Sequence, residues 1–230
     1  MVTAGANRVL SMAMHSPQVH GFFSIPVDHL HALNELADHF RKYDLSNTVA
    51  VSPDLGNAKE TAHFARLLGV GVAVAAKQRY ADDQVRISSI IGDVTGKDVI
   101  VLDDEIAKGS TMFELLSHLR AHKVKSIRIA CTHGLFASGS AQRLSDQPDI
   151  LEIVCTNTVP ITQDKRAPSS LFCPLPSLWP RRSAEFTTAN PSARSFTRPD
   201  TSPVIWSGVS GTAQSPRRKT ASRPGHSDHA

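Results

Sequence analysis

The residues best suited to chemistry lie in one run, Val99-Ile100-Val101-Leu102-Asp103-Asp104-Glu105-Ile106-Ala107-Lys108-Gly109-Ser110-Thr111. An apolar, β-branched stretch ends in paired acids, and a small-residue loop then opens a helical pattern. In open α/β sheets, ligands bind at such carboxyl ends of strands. Backbone N–H groups of the loop and of the helix N-terminus can hold a phosphate, while acids at the strand end can accept hydrogen bonds from sugar hydroxyls. The pattern alone equally suits an ordinary βα turn with solvated acids, so both readings stay open at this point.

Other candidates are sparser. Lys77 and Arg79 flank Gln78 in a basic triplet that composition alone assigns to a solvated surface. His15 stands alone between Met14 and Ser16, where a histidine is more often structural than catalytic. Cys131, Cys155 and Cys173 form no CxxC pair and have no spacing suited to zinc. An odd, sparse set of this kind fits free thiols in a reducing cytosol.

These residues need a scaffold, and the chain supplies one over its first 166 positions. β-branched runs recur at Thr48–Ser52, Val70–Ala75, Val99–Leu102, Ile127–Cys131 and Ile150–Cys155, separated by stretches with helical spacing. That alternation predicts βαβ units around a mostly parallel sheet flanked by helices. Residues His29 to Lys42 place Leu30, Leu33, Leu36 and Phe40 on one stripe. Ala58 to Leu68 does so with Ala62, Ala65 and Leu68, and Gly69 supplies a stop. Thr111 to His122 repeats the spacing with Leu115, Leu116 and Leu119.

Composition changes after Arg166. The segment 167–230 holds nine of the fourteen prolines, both tryptophans, eight basic residues and three acidic ones, leaving 17 basic and 18 acidic residues in 1–166. The basic pI of about 9.1 therefore belongs to the tail, and it is no sign of a nucleic-acid partner. Disorder is the expectation for 167–230, because such a segment buries too little apolar surface to offset its conformational entropy. No run reaches the roughly eighteen apolar residues of a membrane helix, and no signal-peptide pattern opens the chain; a soluble, cytoplasmic protein is expected.

Several further motifs accompany Val99–Thr111 in a fixed order: Thr3-Ala4-Gly5-Ala6-Asn7-Arg8-Val9-Leu10, Gln18-Val19-His20-Gly21-Phe22-Phe23, Ile25-Pro26-Val27-Asp28, Val51-Ser52-Pro53-Asp54, Lys77-Gln78-Arg79 and Thr132-His133-Gly134-Leu135-Phe136. Together they resemble the ribose-phosphate diphosphokinase family, over residues 3 to 166, in that family's C-terminal half. The resemblance implies a type I phosphoribosyltransferase-like fold and transfer of diphosphate from ATP to ribose 5-phosphate. It further implies that Asp103 and Asp104 hold ribose hydroxyls, and that Ala107, Lys108, Gly109, Ser110 and Thr111 wrap the 5-phosphate. Lys77 and Arg79 would act catalytically from a mobile loop, His15 would meet the nucleotide, and His15, Asp54 and Asp28 would lie on the Mg²⁺ side. His20 and His133 are expected in packing or polar networks. A homo-oligomer or an assembly with full-length homologues is implied as the partner state.

Departures from the family pattern bear on activity. Ala13 and Ser24 stand where acids are common, and Lys108-Gly109-Ser110 replaces threonine followed by small residues. Two alternatives therefore stand beside a truncated, less active synthase: a non-catalytic regulatory homologue, and a nucleobase phosphoribosyltransferase. Met1 corresponds to a position just before the family's second domain. Read in a shifted codon frame, Pro168 to Pro176 can encode KLTVLSVA, and Pro180 to Phe196 can encode EAIRRIHNGESVSALF, a family-type ending. The expectation is a frame-shifted tail from about Ala167, with loss of the last family strand and helix, which would leave a bare sheet edge and exposed apolar surface.

Overall fold

A computed structural model describes residues 1–81, 84–165 and 170–173; for 78–81, 84–86, 164 and 170–173 it describes the backbone alone. Its centre is a seven-stranded sheet of order β5-β4-β3-β6-β7-β8-β9. The strands are β3 (Thr48–Ser52), β4 (Gly71–Ala81), β5 (Gln84–Ile91), β6 (Asp98–Ile106), β7 (Ser126–Gly134), β8 (Ile150–Thr156) and β9 (Ser170–Cys173). All neighbours are parallel except β4 and β5, which form an antiparallel hairpin. The expected mostly parallel α/β fold is therefore present.

Period-two alternation on the central strands sorts side chains to two cores. Val49, Val51, Val99, Val101, Ile127, Ile129 and Ile153 face α3 (Ser110–Ala121) and α4 (Ser140–Ser145), meeting Met112, Leu115, Leu116, Leu119 and Leu144. Ala50, Ile100, Leu102, Ala130 and Val154 face α1 (Leu33–Phe40) and α2 (Ala58–Leu68), meeting Leu36, Phe40, Phe64 and Ala65. With both faces covered, the strands can be apolar throughout, which is why the runs read so clearly in the sequence.

Helix α2 has the predicted bounds, and Gly69 ends it at φ 70, its N–H bonded to the Ala65 and Arg66 carbonyls. Its buried stripe is Thr61, Phe64 and Ala65, a slight rotation from the expected one, because the Phe64 ring fills the space against Phe40. Helix α1 starts at Leu33, later than the predicted His29. Leu30 instead ends a short strand β2 (Val27–Leu30) that pairs in parallel with β1 (Val9–Met12), and it packs with Met12, Ala13 and Ala32. The apolar pairs Val9↔Val27 and Met12↔Leu30 across that ladder, with burial of Leu30 against Met12, Ala13 and Ala32, outweigh the helical spacing.

At the far edge, Ser170–Cys173 pairs with β8 from Ile153↔Ser170 to Thr156↔Cys173. This corrects the expected bare edge. A parallel ladder needs only backbone N–H and C=O groups, which the proline-free stretch between Pro168 and Pro174 offers whatever its side chains. The remainder of the predicted disordered tail lies outside the described residues.

Leu116, on α3, is fully buried against the sheet, whereas Leu151 is 52% exposed on β8. Leu116→Ala should destabilise the chain by about 3 kcal/mol through lost transfer energy and a cavity. Urea unfolding should show that loss, with Leu151→Ala within about 0.5 kcal/mol of the parent.

Candidate functional site

Strand β6 runs well past its apolar core, pairing Asp103 with Cys131, Glu105 with His133 and Ile106 with Gly134 on β7. The acids are thus held on a strand rather than a free loop. The chain then turns through Ala107, Lys108 and Gly109, the last at φ 77, into α3. Around this turn lies a cavity of about 150 Å³ lined by Asp103, Glu105, Ile106, Ala107, Lys108, Gly109, Ser110, Thr111 and Met112. All five loop residues expected to wrap a phosphate, and one of the two acids, meet at this single cavity.

The turn is tied to the end of β7. Ile106 O accepts from Leu135 N at 3.1 Å and Phe136 N at 3.0 Å, and Ala107 O accepts from Ala137 N at 3.0 Å. A Cβ on Gly109 would lie 3.4 Å from both the Phe113 ring and Ser140 Cβ, in a left-handed conformation that side chains rarely adopt. The tight turn therefore requires glycine at this position. Lys108, the bulky departure, is exposed.

The two acids diverge. Asp103 lines the cavity, and its Oδ1 accepts from Asp104 N at 3.0 Å. Burial, reinforced by the neighbouring Asp104 carboxyl, pushes Asp103 up to about 8. At neutral pH it can donate as well as accept a hydrogen bond. Asp104 instead reaches His15, with Nδ1 2.5 Å from Oδ2. That hydrogen bond, and then the Asp104 charge, raise the His15 pKa, favouring the imidazolium.

Asp54, from the β3–α2 turn, forms a third pair. Its Oδ2 lies 3.0 Å from Lys77 Nζ on β4, and its Oδ1 accepts from Asn57 N at 3.0 Å. Burial would raise the Asp54 pKa, but Lys77 and the backbone donors outweigh it and leave it lowered. Lys77 and Arg79 occupy the β4 strand of the hairpin, not the loop that was expected, because β5 pairs with both positions. The Arg79 side chain lies outside the described residues. Asp28 sits on β2, held by Arg8 at 2.5 and 3.1 Å. Among the described residues, no group of three or more His, Cys, Asp or Glu side chains is arranged to hold a metal ion, so His15, Asp54 and Asp28 do not form a closed ligand set.

His133 ties the β1–β2 unit to the sheet. Its Nε2 donates to Met12 O and Ala13 O, both at 3.1 Å, since carbonyls only accept, and its Nδ1 lies 2.8 Å from Thr158 Oγ1. Thr156 Oγ1 donates to Thr132 O at 2.7 Å. The clasp holds Ala13, at φ 42, just ahead of His15. His20 lies against Ser11 at 3.4 Å, Met14 Sδ at 3.2 Å and the His29 ring. Both histidines are thus polar-network residues, as expected. Sequence reasoning gave no role to Glu105 or Asn57, whose neighbours were named, and missed Ser140 and Arg143, whose approach to the turn is set by the placing of β7 beside β6.

Asp103 keeps its proton in the folded chain up to about 8, whereas its unfolded value is 3.8. The folded chain binds more protons across that window, so stability falls as pH rises through it. Asp103→Asn should raise the thermal midpoint by a few degrees at pH 8 and leave it nearly unchanged at pH 4. Equal shifts at both pH values in scanning calorimetry would contradict the perturbed carboxyl.

Comparison with known proteins agrees with this geometry. A family model for the phosphoribosyl transferase domain matches residues 30–163. A putative ribose-phosphate pyrophosphokinase of Streptomyces coelicolor is 72% identical over 164 residues, covering 71% of this chain and 52% of that protein. The ribose-phosphate pyrophosphokinase of Deinococcus radiodurans is 43% identical over 164 residues, covering 70% and 51%. The crystal structure of phosphoribosylpyrophosphate synthetase from Mycobacterium smegmatis superposes with a TM-score of 0.74 at 34% identity, covering 82% of this chain and 61% of that one. The chain spans about half the length of the curated relatives it matches. With the acid-ended strand, the glycine turn and the cavity between them, the chain belongs to the phosphoribosyl transferase domain family, where its relatives are ribose-phosphate pyrophosphokinases.

Proposed function

We propose that this chain is the phosphoribosyltransferase-like part, residues 1–166, of a ribose-phosphate diphosphokinase, and that its cavity receives ribose 5-phosphate. The observation that carries the reading is the meeting of Asp103 with Ala107 to Thr111 around one cavity, beside the Asp54–Lys77 and Asp104–His15 pairs. Loop and helix N–H groups would donate to the 5-phosphate oxygens, and Asp103 and Asp104 would accept from the ribose hydroxyls. The anomeric hydroxyl oxygen would attack the β-phosphorus of ATP: an O–P bond forms there, the bond to the bridging oxygen breaks so that this oxygen leaves with AMP, and the hydroxyl proton is lost to solvent.

Charge develops on the diphosphoryl oxygens during that transfer. Cations aimed at it are the main catalytic device in phosphoryl-type chemistry. Lys77 and the His15 imidazolium are the candidates, and both are paired with carboxylates they can exchange for phosphate. Mg²⁺, if bound with the nucleotide, would neutralise the diphosphate and lower its electrophilic barrier. The oxygen-rich donor set of Asp54 and Asp104, with water and phosphates completing the shell, suits that ion. Asp28, engaged by Arg8, is less available to it. Buried, unbridged Cys131 and Cys155 support a cytoplasmic setting, and no helix among the described residues is long and apolar enough to cross a membrane.

The regulatory reading has one specific support. Ala13 stands where the family commonly has an acid, and its backbone is used in both directions, by Leu30 O and His133. A chain poor in acids there could modulate full-length homologues in a mixed oligomer. Incubating the purified chain with ATP, Mg²⁺ and ribose 5-phosphate should yield AMP, and Lys77→Ala should lower kcat by about a hundredfold or more with little change in KM. No AMP from the chain alone, with an altered rate on mixing with an intact homologue, would favour the regulatory reading.

A further inference from the structure

Three consecutive carbonyl oxygens of the β6–α3 turn are bonded by one segment, residues 135–143. The Leu135 and Phe136 amides hold Ile106 O, the Ala137 amide holds Ala107 O, and two side chains complete the set. Ser140 Oγ donates to Ala107 O at 2.8 Å, and Arg143 Nη2 donates to Lys108 O at 2.8 Å. A trans peptide is planar, with its N–H opposed to its C=O. Fixing Ala107 O therefore aims the Lys108 N–H the other way, and fixing Lys108 O does the same for the Gly109 N–H. Neither N–H has a protein acceptor among the described residues, and both residues line the cavity.

The segment is built for holding. Ser140 is fully buried, and the Arg143 guanidinium lies 4.9 Å over the Phe113 ring, bridging α4 to α3. Phe136, Ser138 and Gly139 all adopt left-handed backbone, at φ 46, 54 and 68, a conformation uncommon for non-glycine residues and frequent at functional sites. Phe136 is locked there by burial.

We propose that Ser140 and Arg143 are positioning residues that set the affinity of the turn for a phosphate monoester, by fixing the Lys108 and Gly109 N–H groups toward the cavity. The proposal rests on the reading that this turn receives the phosphate of ribose 5-phosphate. Neither side chain needs to touch the ligand.

The test uses the full 230-residue chain, ¹⁵N-labelled, with calorimetric titration of ribose 5-phosphate and of inorganic phosphate. Ser140→Ala and Arg143→Gln should each weaken both probes by a similar factor, about tenfold, and Arg143→Lys should restore most of the loss. In Arg143→Gln the Gly109 amide should lose most of its phosphate-induced shift while Ser110 keeps its own; in Ser140→Ala the Lys108 amide should be the one affected. Exposed Arg143 gives variants that fold even if Ser140→Ala does not. Folded variants that bind within twofold of the parent would overturn the proposal, as would an even loss of shifts across the turn with a lowered thermal midpoint. If the parent chain binds neither probe, the reading of the turn as a sugar-phosphate site fails first.

Discussion

The parallel ladder between β6 and β7 is the constraint on which the rest depends. It runs from Asp98↔Ser126 to Ile106↔Gly134, farther than the apolar core requires. A parallel pair has both backbones committed, so the acids Asp103 to Glu105 are carried out of the core with strand rigidity. Because β7 continues beside them, its end delivers His133 to the β1–β2 unit and residues 135–143 to the back of the turn. Shortening that ladder would release the acid pair, the glycine turn and the His133 clasp together.

Around this frame the acids are compensated one by one. Asp54 has Lys77, Asp104 has His15, Asp28 has Arg8, and Asp103 keeps a proton. Partly exposed pairs of this kind add little to stability, since their Coulombic gain is screened and side-chain entropy opposes it. Their value is exchange: a phosphate ligand can take over Lys77 or His15 while the carboxylates turn to hydroxyls or a cation. The same compensation explains why a tight metal cluster is not needed among these residues. Magnesium keeps phosphate and water ligands and tolerates few protein carboxylates.

Much of this was legible from the chain alone. The apolar runs at Thr48, Val99, Ile127 and Ile150, the stop at Gly69 and the acid-ended run before Gly109 follow from side-chain chemistry and local backbone preference. They determined the fold class, the βα turn and the residues that line its cavity. What the tertiary structure alone decided is who meets whom: His15 with Asp104 across 89 positions, Lys77 with Asp54, and Ser140 and Arg143 with the carbonyls of the turn. Those contacts come from strand order and register, which place β7 next to β6 and β4 next to β3. Periodicity encodes which face of an element is apolar. It carries no record of which element lies beside it, and that is why the partners of the acids, and the segment that aims the turn, appear only in the folded chain.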